Sequence, residues 1–222
     1  MMLLSVEPAP RVVATLVEPW MYPVFLVLLG LLAVANVTGR RYLVAGMEAV
    51  VSARAFREMV RDEGRVLTVM PLLLAVLSMV CEALVVYLAI RTFGTADYGF
   101  LSVLALVFLV FVLKQLSLSG TDELVGGHAG VQAMRFDHSL SHQLLGVVLL
   151  PLILFAAFTQ PAVARVLLVA ALTLILLAYL GRIVRSVMLA LRTRIPLFYI
   201  IFYLCALEFL PLAVLARLAM AR

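Results

Sequence analysis

Long apolar stretches, separated by short polar segments, make up most of this 222-residue chain. Each stretch has between 18 and 24 residues, enough for a helix that rises about 1.5 Å per residue to cross about 30 Å of hydrocarbon. Strands fit poorly because the stretches are longer than strands and do not alternate with a period of two. We therefore predict an all-α integral membrane helical bundle with about six transmembrane helices. The predicted spans are Trp20–Val37, Leu67–Ile90, Tyr98–Leu118, His142–Thr159, Ala162–Gly181 and Pro196–Ala216.

The polar segments between the spans differ in kind. Ala53–Glu63 places basic residues on one helical stripe, which predicts a short helix on the cytoplasmic membrane surface. Only Gln160-Pro161 separates the fourth and fifth spans, so these helices should form a tight hairpin. An apolar period of 3.6 residues continues beyond Gly181, so the fifth helix should run on into the interface. Four glycines in Ser119–Ser139 predict a flexible cytoplasmic loop.

Composition agrees with a membrane location, since 66% of the residues are hydrophobic and the mean hydropathy is +1.19. Six spans of about 20 residues leave too little chain for a separate soluble domain, so residues 1–222 should form a single polytopic membrane domain. The net charge of +5 comes from basic residues that flank the spans, which favours membrane lipids over nucleic acid as the anionic partner. The predicted lipid head-group contacts are Arg54, Arg57, Arg61, Arg65, Arg182 and Arg185.

The distribution of basic residues predicts an orientation in the membrane. When successive segments are assigned alternately to the two sides, 12 of the 17 basic residues lie on one side and 5 on the other. Basic loops are retained in the cytoplasm. We therefore expect the basic side to be cytoplasmic and both termini to lie on the periplasmic side.

Two glutamates inside predicted spans are the sharpest candidates for function. A charged side chain at the centre of the bilayer costs about 2.5–3.5 kcal/mol on insertion scales, and Glu82 and Glu208 are expected at similar depths, slightly to the outer side of the centre. They would bind a proton, a cation or a donor-rich ligand, or each would be protonated and only hydrogen-bond a neighbouring helix. The other intramembrane candidates, which lie near them on the same two helices, are Ser78, Cys205 and Tyr203.

The histidines near the predicted fourth span are weaker candidates. His138 and His142 are four residues apart, but without a fixed third ligand they indicate a metal site only weakly, and we predict neither a metal nor a cofactor. Asp137 or Ser139 would serve as the cap of the fourth helix. Lys114, about 10 Å to the inner side of its helix midpoint, is expected to extend to the cytoplasmic interface and to meet neither glutamate.

The run Ile195–Leu212 resembles the signature F-Y-x-I-x-Y-L-C-x-L-E-x-L-P of an uncharacterised bacterial family, a multi-span domain of unknown function found mainly in one Gram-negative phylum. Further similarity in Gly146–Leu152 and around Arg54–Arg57 extends the resemblance over most of the chain. The resemblance implies an inner-membrane location. Genes of the family neighbour that of uroporphyrinogen-III synthase, which suggests a link with tetrapyrrole metabolism. The matching residues of the run are Phe198, Tyr199, Tyr203, Leu204, Cys205, Leu207, Glu208, Leu210 and Pro211.

Three functions remain open at this point. The chain lacks a motif that pairs a nucleophile with a base, so we favour an accessory or assembly subunit that holds a protein partner or a second copy of itself. The alternative is a proton- or cation-linked transporter of a small molecule that uses Glu82 and Glu208. The third is a membrane enzyme linked to tetrapyrrole metabolism, with a cytoplasmic pocket near His138 and His142.

Overall fold

The computed structural model describes residues 18–62, 69–93, 98–125 and 129–192. These ranges are all-α and contain six helices. Several of them carry apolar side chains on every face, as expected for helices that lie in a membrane, where each helix must satisfy its own backbone polar groups. The helices are α1 (Met21–Val51), α2 (Ala53–Asp62), α3 (Val69–Phe93), α4 (Phe100–Val125), α5 (Ala129–Phe158) and α6 (Pro161–Arg192).

Four of the helices are long and apolar enough to cross a membrane. A fifth apolar segment, Phe100–Leu116 within α4, is shorter. The predicted terminal span Pro196–Ala216 lies outside the described residues. The candidate spans are Met21–Val50, Val69–Phe93, Arg135–Phe158 and Pro161–Arg185, so the prediction of an all-α protein with several helices long and apolar enough to span a membrane is confirmed.

Helices α3 and α5 form the inside of the bundle, and α1 and α6 lie further out. In the most apolar part of α3 and of α5, 61% of the residues are buried, against 22% in α1 and 17% in α6. The inner helices meet over a leucine-rich core, and α5 also has an extensive interface with α6. Core residues that are almost completely buried include Leu77, Leu84, Leu149, Leu150 and Ile153.

Two predictions about connections are confirmed. Helix α5 ends at Phe158 and α6 begins at Pro161, so the two form a tight hairpin, which is closed by a 2.9 Å bond from the Ala164 amide to the Gln160 carbonyl. Helix α6 also continues past Gly181 to Arg192, as expected from its apolar period. The hairpin brings the start of α6 against the end of α5.

The loop predicted over Ser119–Ser139 is wrong for most of its length. Helix α4 continues to Val125 and α5 begins at Ala129. The glycines and polar residues suggested a loop, but their low helix propensity is only a weak local preference and does not prevent a helix here. Helix α5 therefore begins well before the predicted fourth span.

The short helix expected over Ala53–Glu63 is present as α2. Its buried Met59 and its Phe56 ring, 5.7 Å from the Phe136 ring, hold it against the beginning of α5. Its opposite face is polar, with Arg54 bonded to Glu58 at 3.2 Å. Within α1, the helix bends at Gly39, where an added Cβ would lie 2.7 Å from the Met70 sulfur of α3.

Candidate functional site

The early start of α5 changes the setting of its histidines. His138 and His142 lie in the third and fourth turns of the helix, both more than nine-tenths buried. The prediction that Asp137 or Ser139 caps a helix at this point is therefore wrong. The Asp137 carboxylate instead bonds to the Arg185 guanidinium of α6 at 3.3 Å.

Glu82 of α3 and His142 of α5 form a buried acid–base pair. The Glu82 Oε1 lies 2.9 Å from the His142 Nδ1, and the two side chains are 10% and 8% exposed. The distance is that of an ion pair, but the ring N–H direction does not meet the geometry of a straight hydrogen bond. Glu82 thus faces the interior of the bundle.

Ser78, one turn before Glu82, completes the contact between the two helices. Its hydroxyl donates to the main-chain carbonyl of His142 at 2.5 Å and its oxygen lies 3.4 Å from the ring Nδ1. The approach is close because Gly146, one turn after His142, presents no side chain. A Cβ at Gly146 would overlap the Cα and Cβ of Ser78.

A third helix covers the pair. The Phe111 ring of α4 stacks on the His142 imidazole with centroids 5.2 Å apart and an interplanar angle of 27°. The other ring nitrogen of His142, Nε2, is buried and has no hydrogen-bond partner among the described residues. The carboxylate and the imidazole are therefore enclosed by α3, α4 and α5.

A second polar cluster lies one helical turn from His142 and centres on His138. The Lys114 ammonium of α4 and the Arg182 guanidinium of α6 each lie 4.4 Å from the centroid of the Tyr179 ring. Lys114 and Arg182 are 4% and 6% exposed. Lys114 therefore points into the bundle, contrary to the expectation that it extends to the interface. Arg182, expected to contact lipid head groups, is likewise enclosed between helices.

Other polar contacts link the helices around these clusters. Arg185 bonds to Asp137 and also donates to the Val50 carbonyl at the end of α1. Tyr42 of α1 donates to the side-chain oxygen of Gln143 at 2.8 Å, and Gln143 donates to Ser139 at 2.9 Å. These bonds tie α1, α5 and α6 together at the end of the bundle where the basic residues collect.

Several predicted site residues remain apart from these clusters. Glu208, Cys205, Tyr203 and Arg65 lie outside the described residues, so the expected matching depth of the two glutamates stays a prediction. Arg54, Arg57 and Arg61 of α2 are exposed, and their contact with lipid head groups also stays a prediction. In the described ranges, no three or more His, Cys, Asp and Glu side chains are grouped so that they could hold a metal ion.

Sequence reasoning identified Glu82 and Ser78 but missed that His142 is the partner of Glu82. The histidine stood at the assumed start of a span, so it was expected far from the middle of α3. The spacing of His138, His142 and Gly146, four residues apart in each step, carried the missing signal. It describes one helix face on which two imidazoles precede a close backbone approach.

Comparison with known proteins gives a family for almost the whole chain. Residues 21–219 match the family described as Domain of unknown function (DUF4271). No curated protein and no solved structure matches the chain. The chemistry of the buried clusters therefore carries the functional argument.

Proposed function

The chain belongs to the DUF4271 family, a domain of unknown function, and we propose that it is a bacterial inner-membrane protein that uses Glu82 and His142 to relay a proton during transport of a small solute. The observation that carries this proposal is the 2.9 Å contact between the two side chains inside an apolar bundle. Carboxylates and imidazoles within membrane helices characteristically form proton relays in pumps and transporters. Imidazole also changes its charge near physiological pH.

The pair is suited to holding a proton in two positions. Transfer from Nδ1 of the imidazolium to Oε1 of the carboxylate converts an ion pair into a neutral pair and leaves the net charge unchanged. Loss of the proton from the pair would leave a lone negative charge in a low-dielectric interior, which is unfavourable unless another charge moves with it. This requirement links release of the proton to movement of a second charged or polar species.

A path for the proton leads toward the basic end of the bundle. His138 lies one turn from His142, about 6 Å along the helix axis. The next group in this direction is the Asp137–Arg185 pair, in which the arginine side chain is 41% exposed. His138 and Asp137 are thus the groups that would pass a proton toward this end, and Arg185, which stays charged, holds the Asp137 carboxylate in place.

We also propose six spans with both termini on the periplasmic side. The contacts among helix ends support this arrangement, since the end of α6, the beginning of α5 and the end of α1 meet at Arg185, Asp137 and Val50. These ends are the ones next to the basic segments, which favours a cytoplasmic location for them. An odd number of spans would separate the two termini.

The experiment that tests the relay compares Glu82→Gln with Glu58→Gln in a strain deleted for the gene. Both variants keep the shape of the side chain and remove its titratable proton, but Glu58 lies on the exposed face of α2. We expect normal accumulation of both proteins, loss of complementation with Glu82→Gln and full complementation with Glu58→Gln.

Infrared spectra of the purified full-length protein give a second readout, since a carboxyl group that holds a proton has its own absorption band. We expect a protonated-carboxyl band that Glu82→Gln removes and Glu58→Gln keeps. Full complementation by Glu82→Gln, or an unchanged carboxyl band, would contradict the relay.

The second candidate is an accessory or assembly subunit, with a protein partner or a second copy of the chain against its outer helices. The limited burial of α1 and α6, 22% and 17% in their most apolar parts, supports this alternative because these surfaces remain available to other membrane helices. A subunit of this kind tolerates Glu82→Gln, so the complementation experiment discriminates between the two functions. An enzymatic role in tetrapyrrole metabolism gains no support from the contacts described above.

A further inference from the structure

A groove on the surface of the bundle, where α1 passes α5, has two polar residues in an otherwise apolar lining. Its volume is about 420 Å³, within the range of about 300–1,000 Å³ that is usual for ligand sites. The lining comes from α1 between Leu29 and Met47, on both sides of the bend at Gly39, and from Val147 of α5. The two polar lining residues, one helical turn apart, are Asn36 and Arg40.

Neither polar side chain makes a hydrogen bond or an ion pair within the described ranges, and both are exposed. At about 1.5 Å per residue, Asn36 lies about 22 Å and Arg40 about 28 Å along α1 from its start at Met21. The hydrocarbon of a bilayer is about 30 Å thick, so a helix that enters it at Met21 has Asn36 within it and Arg40 close to its far edge. An amide and a guanidinium at these depths require hydrogen-bond partners that the described residues do not supply.

The charge of the groove specifies the kind of partner. None of the described residues that line the groove is acidic, and Arg41, the residue after Arg40, is exposed as well. A guanidinium binds two oxygens of a phosphate through parallel hydrogen bonds, whereas the ammonium of a zwitterionic lipid would find no carboxylate among these lining residues. A phosphodiester with a net negative charge therefore complements this part of the groove.

We propose that the groove binds one anionic phospholipid. The phosphate lies on Arg40, the glycerol esters just below the phosphate accept a hydrogen bond from the Asn36 amide, and an acyl chain lies along Leu29, Leu32 and Ala33. These three residues line the groove from Asn36 toward the middle of the membrane. From Arg40 inward, the lining thus follows the order of the chemical groups in a phospholipid.

Other occupants fit the groove less well. In a symmetric dimer the same surface of both copies meets, so a dimer through this groove would bring two Arg40 side chains together without an acidic lining residue to separate them. Like charges repel strongly where water is excluded. Free inorganic phosphate would satisfy Arg40 but would leave the apolar lining and Asn36 without a partner.

The lipid site is separate from the Glu82–His142 pair and does not rest on the proposed relay. Val147 follows His142 by five residues, which places it about 140° around α5. The lipid and the acid–base pair therefore lie on different faces of the same helix. Because α1 and α5 both line the groove, a bound lipid should stabilise their contact in the folded protein.

Native mass spectrometry of the full-length protein in detergent tests the affinity and the charge preference of the site. The protein is titrated with phosphatidylglycerol and with phosphatidylcholine that has the same acyl chains. We expect one phosphatidylglycerol molecule to bind more tightly than any phosphatidylcholine molecule. Equal binding of the two lipids overturns the proposal.

The same titration with two variants identifies the arginine that binds the phosphate. Arg40→Gln should weaken binding of the tightest phosphatidylglycerol by about fivefold, the usual effect of one arginine at an anionic lipid surface. Arg54→Gln, which changes an exposed arginine of α2, should leave the affinity for this lipid unchanged. Equal affinities of the two variants overturn the assignment to Arg40, and displacement of the lipid by inorganic phosphate overturns the assignment to a lipid.

A phosphatidylglycerol with a photoactivatable diazirine in its acyl chain determines where the lipid lies. The full-length protein is labelled in phosphatidylcholine nanodiscs that contain this probe, and we expect labelled peptides from 29–36 of α1 and from around Val147. Ala33→Phe fills the groove without a change of charge and should remove this labelling, whereas Ala170→Phe, at an exposed alanine of α6, should keep it. Even labelling of α1 and α6, or a dimer that Ala33→Phe dissociates, overturns the lipid site.

Discussion

At the scale of single residues, the contact between Glu82 and His142 depends on a glycine, Gly146, which has no side chain to keep the two helices apart. Gly146 allows the backbones of α3 and α5 to approach, and Ser78 uses this proximity to bond the main chain of His142. Small residues serve the same purpose in other membrane helix pairs, where the driving force is close packing instead of exclusion of water. The acid–base pair is therefore positioned by packing one turn away from it.

The substitution Gly146→Ala tests this dependence. Its Cβ would overlap main-chain and side-chain atoms of Ser78, so α3 and α5 must separate. We expect a loss of about 1–3 kcal/mol in the free energy of unfolding, the usual cost of overpacking. Reversible denaturation of the purified protein in detergent measures this loss.

Two other glycines provide matched controls for that measurement. Gly30 of α1 and Gly181 of α6 have nothing within 4 Å of an added Cβ, and alanine has the higher helix propensity. Gly30→Ala and Gly181→Ala should therefore be neutral or slightly stabilising. A loss of stability in all three variants would mean that the effect is general to glycines in these helices.

At the scale of helices, Arg185 joins three elements through two bonds. It contacts the nearly buried Asp137 of α5 and the Val50 carbonyl that ends α1. The Val50 carbonyl is one of those that an α-helix leaves without an internal partner at its end, and the arginine satisfies it. These two bonds fix the last turns of α6 beside the first turns of α5 and the end of α1.

We expect Arg185→Gln to lower the free energy of unfolding by about 1–2 kcal/mol, because the Asp137 carboxylate loses its partner. The loss stays modest because the arginine itself is partly exposed to solvent. The double variant Asp137→Asn/Arg185→Gln should lose less than the sum of the single variants, since the two residues act through one contact. Thermal unfolding of the three proteins measures the coupling. Additive losses would show that the two side chains act independently.

The same helices explain how far the sequence determines the fold and the site. Length and hydropathy predicted the helices, the α5–α6 hairpin and the extension of α6, because these features depend on local pattern. The continuation of α4 to Val125 and the early start of α5 were missed, because the preference of glycines and polar residues for loops is weak and was given too much weight. The depth of a carboxylate identified Glu82, but only packing between helices identifies His142 as its partner.

At the scale of the whole molecule, the buried polar groups lie in the middle and toward one end of an apolar bundle, while Glu18, Tyr87 and Arg91 form a partly exposed cluster at the other end. The Glu82–His142 pair lies deepest, the His138 cluster follows, and the Asp137–Arg185 pair lies nearest the surface. Basic residues in α2 and at the end of α6 surround the same end. The direction in which the proposed relay moves a proton therefore depends on which compartment this end faces.

Fusions to reporter enzymes determine that orientation. The positive-inside rule assigns the basic end to the cytoplasm, and an even number of spans returns the chain to the side on which it began. Alkaline phosphatase fused after Arg222 should therefore be active, and phosphatase fused at Gly127 should be inactive. Green fluorescent protein at the same positions should give the complementary pattern, dark after Arg222 and fluorescent at Gly127. The reverse pattern at both positions would place the basic end in the periplasm. Equal phosphatase activity at both positions would put Gly127 and the C-terminus on the same side and would contradict the six-span arrangement.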